Sequence, residues 1–356
     1  MLADAFPVIA GLGACTSVGL NCRANDAAIR GSLNAFSLST TLRSNARGDP
    51  LKLAGLAHLS TIASVEQRMS VLALAAARDA LKCLTGLPAQ SIPVVLSVPP
   101  VRPGLTQEAV NTLVREILAA IPVTVDWAHS ATIPAGNAGG LACLHHGAQM
   151  IRSGKAAACL IGGVESYLNI DTLHWLEAQD RLLWDEQPHG LIPGEGAAFV
   201  LLCSTQSARE LELAPLAQVL GTARGLEPRS WYTGQPMLGE GLSQAFREVL
   251  QALSPERGEK VRTIFCDLNG ESWRADEWGY AYVRCGQHFR SPLDLRHPAA
   301  SWGDVGAASG TLLTCMACLA SSREFDPRDV TLVWTASDLM PERSVCVLRG
   351  ASEVYA

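Results

Sequence analysis

The chain has 356 residues, 48% of them hydrophobic and 17% charged, enough apolar material to bury a core as one large or two medium domains and too much for a disordered segment. Its 28 Lys+Arg against 34 Asp+Glu give a formal net charge of -6, with no long run of like charge. That balance excludes a nucleic-acid or membrane-surface footprint and leaves proteins or small molecules as partners.

The elements follow in order. Near Asp4 there is no basic n-region, and the apolar stretch Phe6 to Ala14 is broken by glycines, so it reads as a first strand (Pro7 to Gly13) and not as a signal peptide. Ile62 to Leu84, rich in Ala, Leu and Arg at helical spacing, is a helix. Ile92 to Val98 is a strand closed by Pro99-Pro100, and Thr106 with Gln107-Glu108 opens a helix to about Ile121. A short strand is expected at Val123 to Val125, then the glycine-rich turn 134–140, a helix to about Ser153 and the strand Ala157 to Gly162. Gly190 to Cys203 is a further strand, followed by the polar crossover Ser204 to Glu212.

From Leu216 the order of elements begins again. A strand runs to about Ala223, a helix from Gly239 to Leu253, a strand from Thr263 to Asp267 and a helix from Ala275 to Cys285. The glycine-rich 303–310 segment opens a helix to about Ser322, and Val330 to Thr335 is a last strand. Alternating buried strands and helices predict an α/β fold with helices on both sheet faces, in two halves, 1–205 and 206–356. The eleven cysteines, an odd number mostly inside apolar runs such as 156–161 and 314–319, fit free thiols of a reducing cytoplasm. No segment reaches the roughly 18 uninterrupted apolar residues of a membrane span.

The stretch AGNAGGLACLHHGAQMIRSGKAAACLIGGVESY, residues 135–167, resembles the nucleophile elbow, helix and next strand of β-ketoacyl synthases, with Arg152-Ser153-Gly154 and Gly162-Gly163 in register. Gly194-Glu195-Gly196-Ala197-Ala198 is similar to that family's Gly-Glu-Gly-Ala strand start, and Gly11-Leu12-Gly13 with Thr16 and Gly19 to its first strand and turn. Asp267 to Ser272 aligns with its Asn-Ala-His-Gly-Thr loop, and Gly303 to Gly310 with its Gly-His-x-Gly-Ala-Ala-x-Gly helix start. The resemblance covers nearly the whole chain. It implies a five-layered αβαβα thiolase fold of two pseudo-symmetric halves, dimeric, with the active site where the halves meet. The chain is shorter than condensing enzymes of this type, the loss falling in loops that cap the acyl tunnel.

By the same resemblance, Asn137 stands where the family has its cysteine nucleophile, and Asn269 and Asp304 where it has its two histidines. An amide is not a nucleophile, whereas a thiolate at a helix N-terminus is. Asp304, anionic in its ordinary state, repels the developing oxyanion that a histidine donor would stabilise. Loss of cooperating groups together removes a factor on the order of 10⁶ in rate, about 8 kcal/mol of barrier. The family's late glycine-rich loop is replaced by Ser337 to Ser344, which is expected to rebuild that wall of the pocket, and the sequence leaves open whether side chains near Trp302, Leu339 and Met340 fill the tunnel.

Other chemistry-bearing residues read as packing. Cys143 lies nearly two turns down the helix from the elbow, with His146 three residues on. His145 and His146 face different ways, and Cys315 and Cys318 sit inside an apolar helix with no second pair. Glu271, Asp276 and Glu277 form an acidic group beside Asn269 that caps a helix or pairs with Arg274, the alternative being a cation site or an acid and base. Gly11-x-Gly13 lacks the third glycine of a dinucleotide fingerprint, so no cofactor and no metal is expected.

The expectation is a degenerate synthase homologue that acts by binding. Its partners are a second copy or a related active synthase, as for chain-length-factor subunits, with an acyl carrier protein or a secreted effector as further candidates. The last follows from the resemblance to small stand-alone proteins found near type VI secretion effector genes. The alternative is an enzyme of altered acyl or thioester chemistry using Asn137 as oxyanion donor and Asp304 or Glu271 as base.

Overall fold

The computed structural model describes residues 6–351 apart from 60, 63, 85–90, 186, 324–325 and 327; Asp4 lies outside the described residues. The first half runs β1 (Val8–Thr16), α1 (Cys22–Arg30), β2 (Ser37–Arg43), β3 (Pro50–Leu53), α2 (Val65–Ala80), β4 (Val94–Ser97), α3 (Gln107–Ala120), β5 (Ala131–Ile133), α4 (Gly139–Arg152), β6 (Ala158–Ser166), α5 (Ile170–Ala178), β7 (Glu195–Cys203) and α6 (Thr205–Glu210). The second runs β8 (Ala217–Leu226), α7 (Glu240–Val249), β9 (Lys260–Cys266), α8 (Ser272–Cys285), β10 (Phe289–Arg296), α9 (Ala299–Trp302), α10 (Ser309–Ser321), β11 (Asp329–Ala336) and β12 (Glu342–Gly350). Hydroxyl caps set several helix starts. Thr106 accepts from the Ala109 N–H ahead of α3, Ser64 from Gln67 ahead of α2, and Ser204 from Ser207 ahead of α6.

Ten strands make one sheet in the order β10-β9-β11-β12-β8-β1-β7-β6-β4-β5. Outward from its centre, each half has the same plan. The first strand pairs antiparallel with the last, the last antiparallel with the one before it, and two parallel pairings follow. Helices α2 and α7, α3 and α8, and α4 and α10 take matching places between matching strands. At the seam β1 and β8 pair through Val8 with Gln218 and Ile9 with Ala217.

Strand periodicity then dictates the layers, because neighbouring residues face opposite ways. Leu96, Leu160, Phe199 and Leu201 pack on Met69 and Leu72 of α2 and Leu113 and Ile117 of α3. Their neighbours Val95, Ile161, Ala198 and Val200 share one cluster with Leu144 of α4, Leu312 and Met316 of α10, and Phe265, Val333 and Cys346 from the other half. Ile264, Leu332, Trp334 and Val345 pack on Leu242 and Phe246 of α7 and Ala281 of α8. Five layers result, αβαβα, as expected from the resemblance. The central helix α10 is buried almost all round, each large apolar side chain there contributing about 2 kcal/mol over exposure.

The structure departs from the sequence reading in places. Val125 makes a lone parallel bridge to Ile92, and the strand beside β4 is β5, further on. The reason is local: Asp126 accepts from the Ala128 N–H and contacts His129, turning the chain before it can pair. The hairpin β2–β3, the helices α1 and α5, and the strands β10 and β12 were not expected. Strand β10 hides behind Pro292, a residue strands tolerate chiefly at edges, and β10 is an edge.

Candidate functional site

The two halves meet at matching elbows. Residues Gly136–Ala138 and Gly306–Ala308 each form one 3₁₀ turn opening a central helix, and each begins on a glycine at positive φ, +52° and +39°. A side chain there would be strained. Where α4 and α10 cross, a Cβ on Gly140 would lie 2.6 Å from the Thr311 backbone nitrogen and 2.9 Å from Gly310 Cα, so only glycine permits the approach. This contact brings the elbow of one half against the loop of the other.

Asn137, fully buried at the first elbow, donates through Nδ2 to Asp304 Oδ1 at 3.0 Å and to Ser309 Oγ at 3.4 Å. Asn269 Nδ2 donates to Asp304 Oδ2 at 2.5 Å and to Glu271 Oε2 at 2.9 Å, while its Oδ1 accepts from the Glu271 N–H at 3.0 Å. Asp304 Oδ1 also accepts from the Gly306 N–H at 2.8 Å. The three expected site residues are therefore brought together, with Asp304 as the hub. Backbone bonds from Asp304 N to Ile192 O and from Gly194 N to Asp304 O, both 2.8 Å, tie the hub to the Gly194-Glu195 motif of the first half.

Arg181 and Trp231 escaped the sequence reading, and Asp267 and Asp338 entered it only as members of aligned loops. Arg181, 3% exposed, donates from Nε and Nη2 to Glu271 at 2.7 and 3.1 Å and from Nη1 to Asp338 at 2.8 Å. Arg274 donates to Asp267 at 2.7 Å and to Ala336 O at 2.6 Å. Burial pushes the Glu271 and Asp338 carboxyls up, but Arg181 and Arg274 together more than offset this and hold both below the usual range. For Asp267 burial prevails over Arg274, and its pKa is pushed up to about 7. Ser337 and Asp338 stand against Gly136 where the late wall was expected.

What remains open beside Asn137 is a cavity of about 10 Å³ lined by Asn137, Asp267, Asn269, Trp302, Asp304 and Ser309 among others. That is room for about one water molecule. Trp302, 2% exposed, lines this cavity, whereas Leu339 and Met340 are half-buried in the β11–β12 turn and do not. An amide is no nucleophile, and the Asp304 oxygens are committed to three N–H donors.

Two buried ion pairs support the elbows from behind. Glu195 of the Gly-Glu-Gly motif binds Arg68, with 2.9 Å from Nε, and accepts from the Leu56 N–H and the Ser166 hydroxyl. Glu165 binds Arg102 at 2.6 Å and accepts from the Ala307 N–H at 3.2 Å, holding the second elbow.

The residues read as packing are packed. Cys143 is fully buried and its thiol is pushed well above its ordinary pKa by burial, and Cys315 and Cys318 lie in the central cluster. His145 contacts Thr222, with burial lowering its pKa. The acidic group does not converge. Glu271 binds Arg181 and also pairs with Arg274 at 3.5 Å, as expected, while Glu277 pairs with Arg343 at 2.6 Å and Asp276 is exposed.

Fold and site together define a thiolase-fold protein with an elbow but no thiol. The family model for the N-terminal domain of β-ketoacyl synthases matches residues 127–208. The β subunit of the tetracenomycin polyketide synthase ketoacyl synthase of Streptomyces glaucescens is 30% identical over 156 residues, 40% of this chain and 36% of that protein. Among solved structures, a type II polyketide synthase acyl-carrier protein in complex with its ketosynthase matches with a TM-score of 0.77 and 17% identity, covering 97% of this chain and 99% of that one. The ishigamide ketosynthase/chain length factor matches at 0.71 and 19%, covering 98% and 100%. The ketosynthase from module 6 of the bacillaene synthase of Bacillus subtilis 168 matches at 0.79 and 12%, covering 97% and 72%. Residues 127–208 thus match the N-terminal domain of β-ketoacyl synthases, and the chain as a whole shares the fold of the solved ketosynthases. No helix among the described residues is long and apolar enough to cross a membrane.

Proposed function

We propose that this chain is a non-catalytic subunit of the ketosynthase type, acting by association with a related synthase as chain-length-factor subunits do. The observation that carries the reading is the closure of the elbow: Asn137 is bound to Asp304, Asp304 to Asn269, and the space beside them admits one water. The similarity to a ketoacyl synthase β subunit and to a ketosynthase/chain length factor supports it. In this reading Asn137, Asn269 and Asp304 are the degenerate catalytic positions, and a structural network has replaced the reaction centre. The altered-enzyme alternative needs Asp304 or Glu271 free as a base, and both carboxylates are held by N–H donors.

The partner surface follows from the sheet. Among the described residues the three-residue strand β5 pairs with β4 alone and carries no charge or proline within it, and we propose its outer edge for strand addition. The other edge, β10, is guarded by Pro292, Asp294, Arg290 and Arg296. We place a related synthase, or a second copy, on β5, with an acyl carrier protein as a partner of the assembly. The secretion-adaptor role rests on the resemblance alone. The test is native purification with mass spectrometry, together with incubation of the pure chain with radiolabelled acyl thioesters. A stoichiometric synthase and no protein-bound label are expected; acyl transfer by the pure chain refutes the reading.

A further inference from the structure

Arg181, like Asn137, reaches from the first half into the closed site and finds its side-chain hydrogen-bond partners in the second. Its partners Glu271, Asp338 and Trp231 all come from the second half, and they form a cage that is complete without it. Glu271 offers two oxygens side by side, at 2.7 Å from Nε and 3.1 Å from Nη2, and Asp338 Oδ2 meets the third nitrogen, Nη1, at 2.8 Å. The Trp231 ring covers the guanidinium face at 5.3 Å. That ring is itself oriented, since its indole N–H donates to Asp338 O at 2.8 Å. A planar fork matched by a carboxylate edge, a second carboxylate at the far nitrogen and an aromatic wall is the arrangement that recognises a guanidinium rather than an ammonium.

Arg181 enters from a segment shaped to deliver it. Asp180, just before it, takes a left-handed conformation with φ of +54°, and the backbone of Arg181 is clamped on both sides, its N–H on Leu176 O at 3.1 Å and its carbonyl accepting from Leu191 N–H at 2.8 Å. From the cage, hydrogen bonds run from Glu271 through Asn269 to Asp304 and Asn137.

We propose that Glu271, Asp338 and Trp231 form a guanidinium-binding site for which Arg181 is a tethered ligand, and that this internal ligand locks the elbow shut. The ligand class is an alkylguanidinium. The inference rests on the closed-site reading above for its consequence, while the cage itself stands on its own geometry.

Chemical rescue tests it on the full chain. Arg181→Ala should lower the melting temperature by about 5 °C, since one partner of a buried pair is lost. Methylguanidinium at millimolar concentration, far below the molar range in which guanidinium denatures, should restore most of that loss, saturably. Methylammonium at the same concentration should not, and wild type should respond to neither. Arg181→Lys, which keeps the charge without the fork, should melt below wild type. If Arg181→Ala folds only when methylguanidinium is present, the site is supported as well. Equal rescue by methylammonium, no rescue by either, or an Arg181→Lys protein as stable as wild type would overturn the proposal. An acyl-transfer assay on the same samples reports separately on the non-catalytic reading, so failure of one is distinguishable from failure of the other.

Discussion

Replacing Asp304 with asparagine isolates the hub of the site. Oδ1 of Asp304 accepts from Asn137 and from the Gly306 N–H, and Oδ2 accepts from Asn269. The amide in Asp304→Asn keeps one oxygen, best used toward Asn137 and Gly306, and turns its NH₂ on Asn269 Nδ2, a donor facing a donor. Asn269 cannot flip to relieve this, because its Nδ2 and Oδ1 are both engaged by Glu271. One charge-assisted bond is lost outright and two are weakened to neutral ones, a cost of about 3 kcal/mol. Against it stands relief of repulsion with Asp267, Glu271 and Asp338, but Arg181 and Arg274 are interleaved among these carboxylates and give up attraction in the same step. The hydrogen-bond loss therefore decides the sign. Urea unfolding followed by tryptophan fluorescence should show a lower midpoint with an unchanged slope. A variant as stable as wild type, or more so, refutes the network argument; loss of a measurable acyl activity on this substitution would instead favour the altered enzyme.

Three further outcomes are expected. Gly140→Ala should gain about 1 kcal/mol of helix propensity and lose more to the 2.6 Å clash with Thr311, so a net loss in urea stability is expected, and a gain would mean that α4 and α10 can part. Glu277→Ala leaves the Arg343 cation buried without its partner and should cost about 3–5 kcal/mol in thermal or urea unfolding, with an unchanged midpoint counting against the ion pair. Asp267, raised by burial to about 7, binds a proton in the folded state that the unfolded chain releases near its ordinary value, so its contribution to stability is present at low pH and declines as pH rises toward about 7. Glu271 and Asp338, held low, act in the opposite sense and are complete above about pH 5.5, since both unfolded values lie near or below 4.5. Asp267→Asn should therefore flatten the decline of stability between about pH 5.5 and 8, and an equal slope in both proteins would show that Asp267 stays ionised.

The sequence alone determined the alternation of strand and helix, the duplicated order of elements, the elbow glycines and the identity of three residues that now touch one another. These are properties that repeat at short range: apolar runs, capping hydroxyls, and glycines whose backbone angles and close approaches admit no side chain. It misplaced the edge strand because Asp126 turns the chain locally, and it passed over β10 because a proline there is tolerated only by virtue of the strand's edge position. Arg181 and Asp338 lie 157 residues apart and carry no spacing signal, so their bond was invisible until the halves were docked. That Glu271 serves Arg181 as well as Arg274 is likewise undecidable from its neighbours in the chain. Only the tertiary structure settles it, because burial strips water from these charges and makes each side chain answer to whatever group the other half of the fold brings within 3 Å.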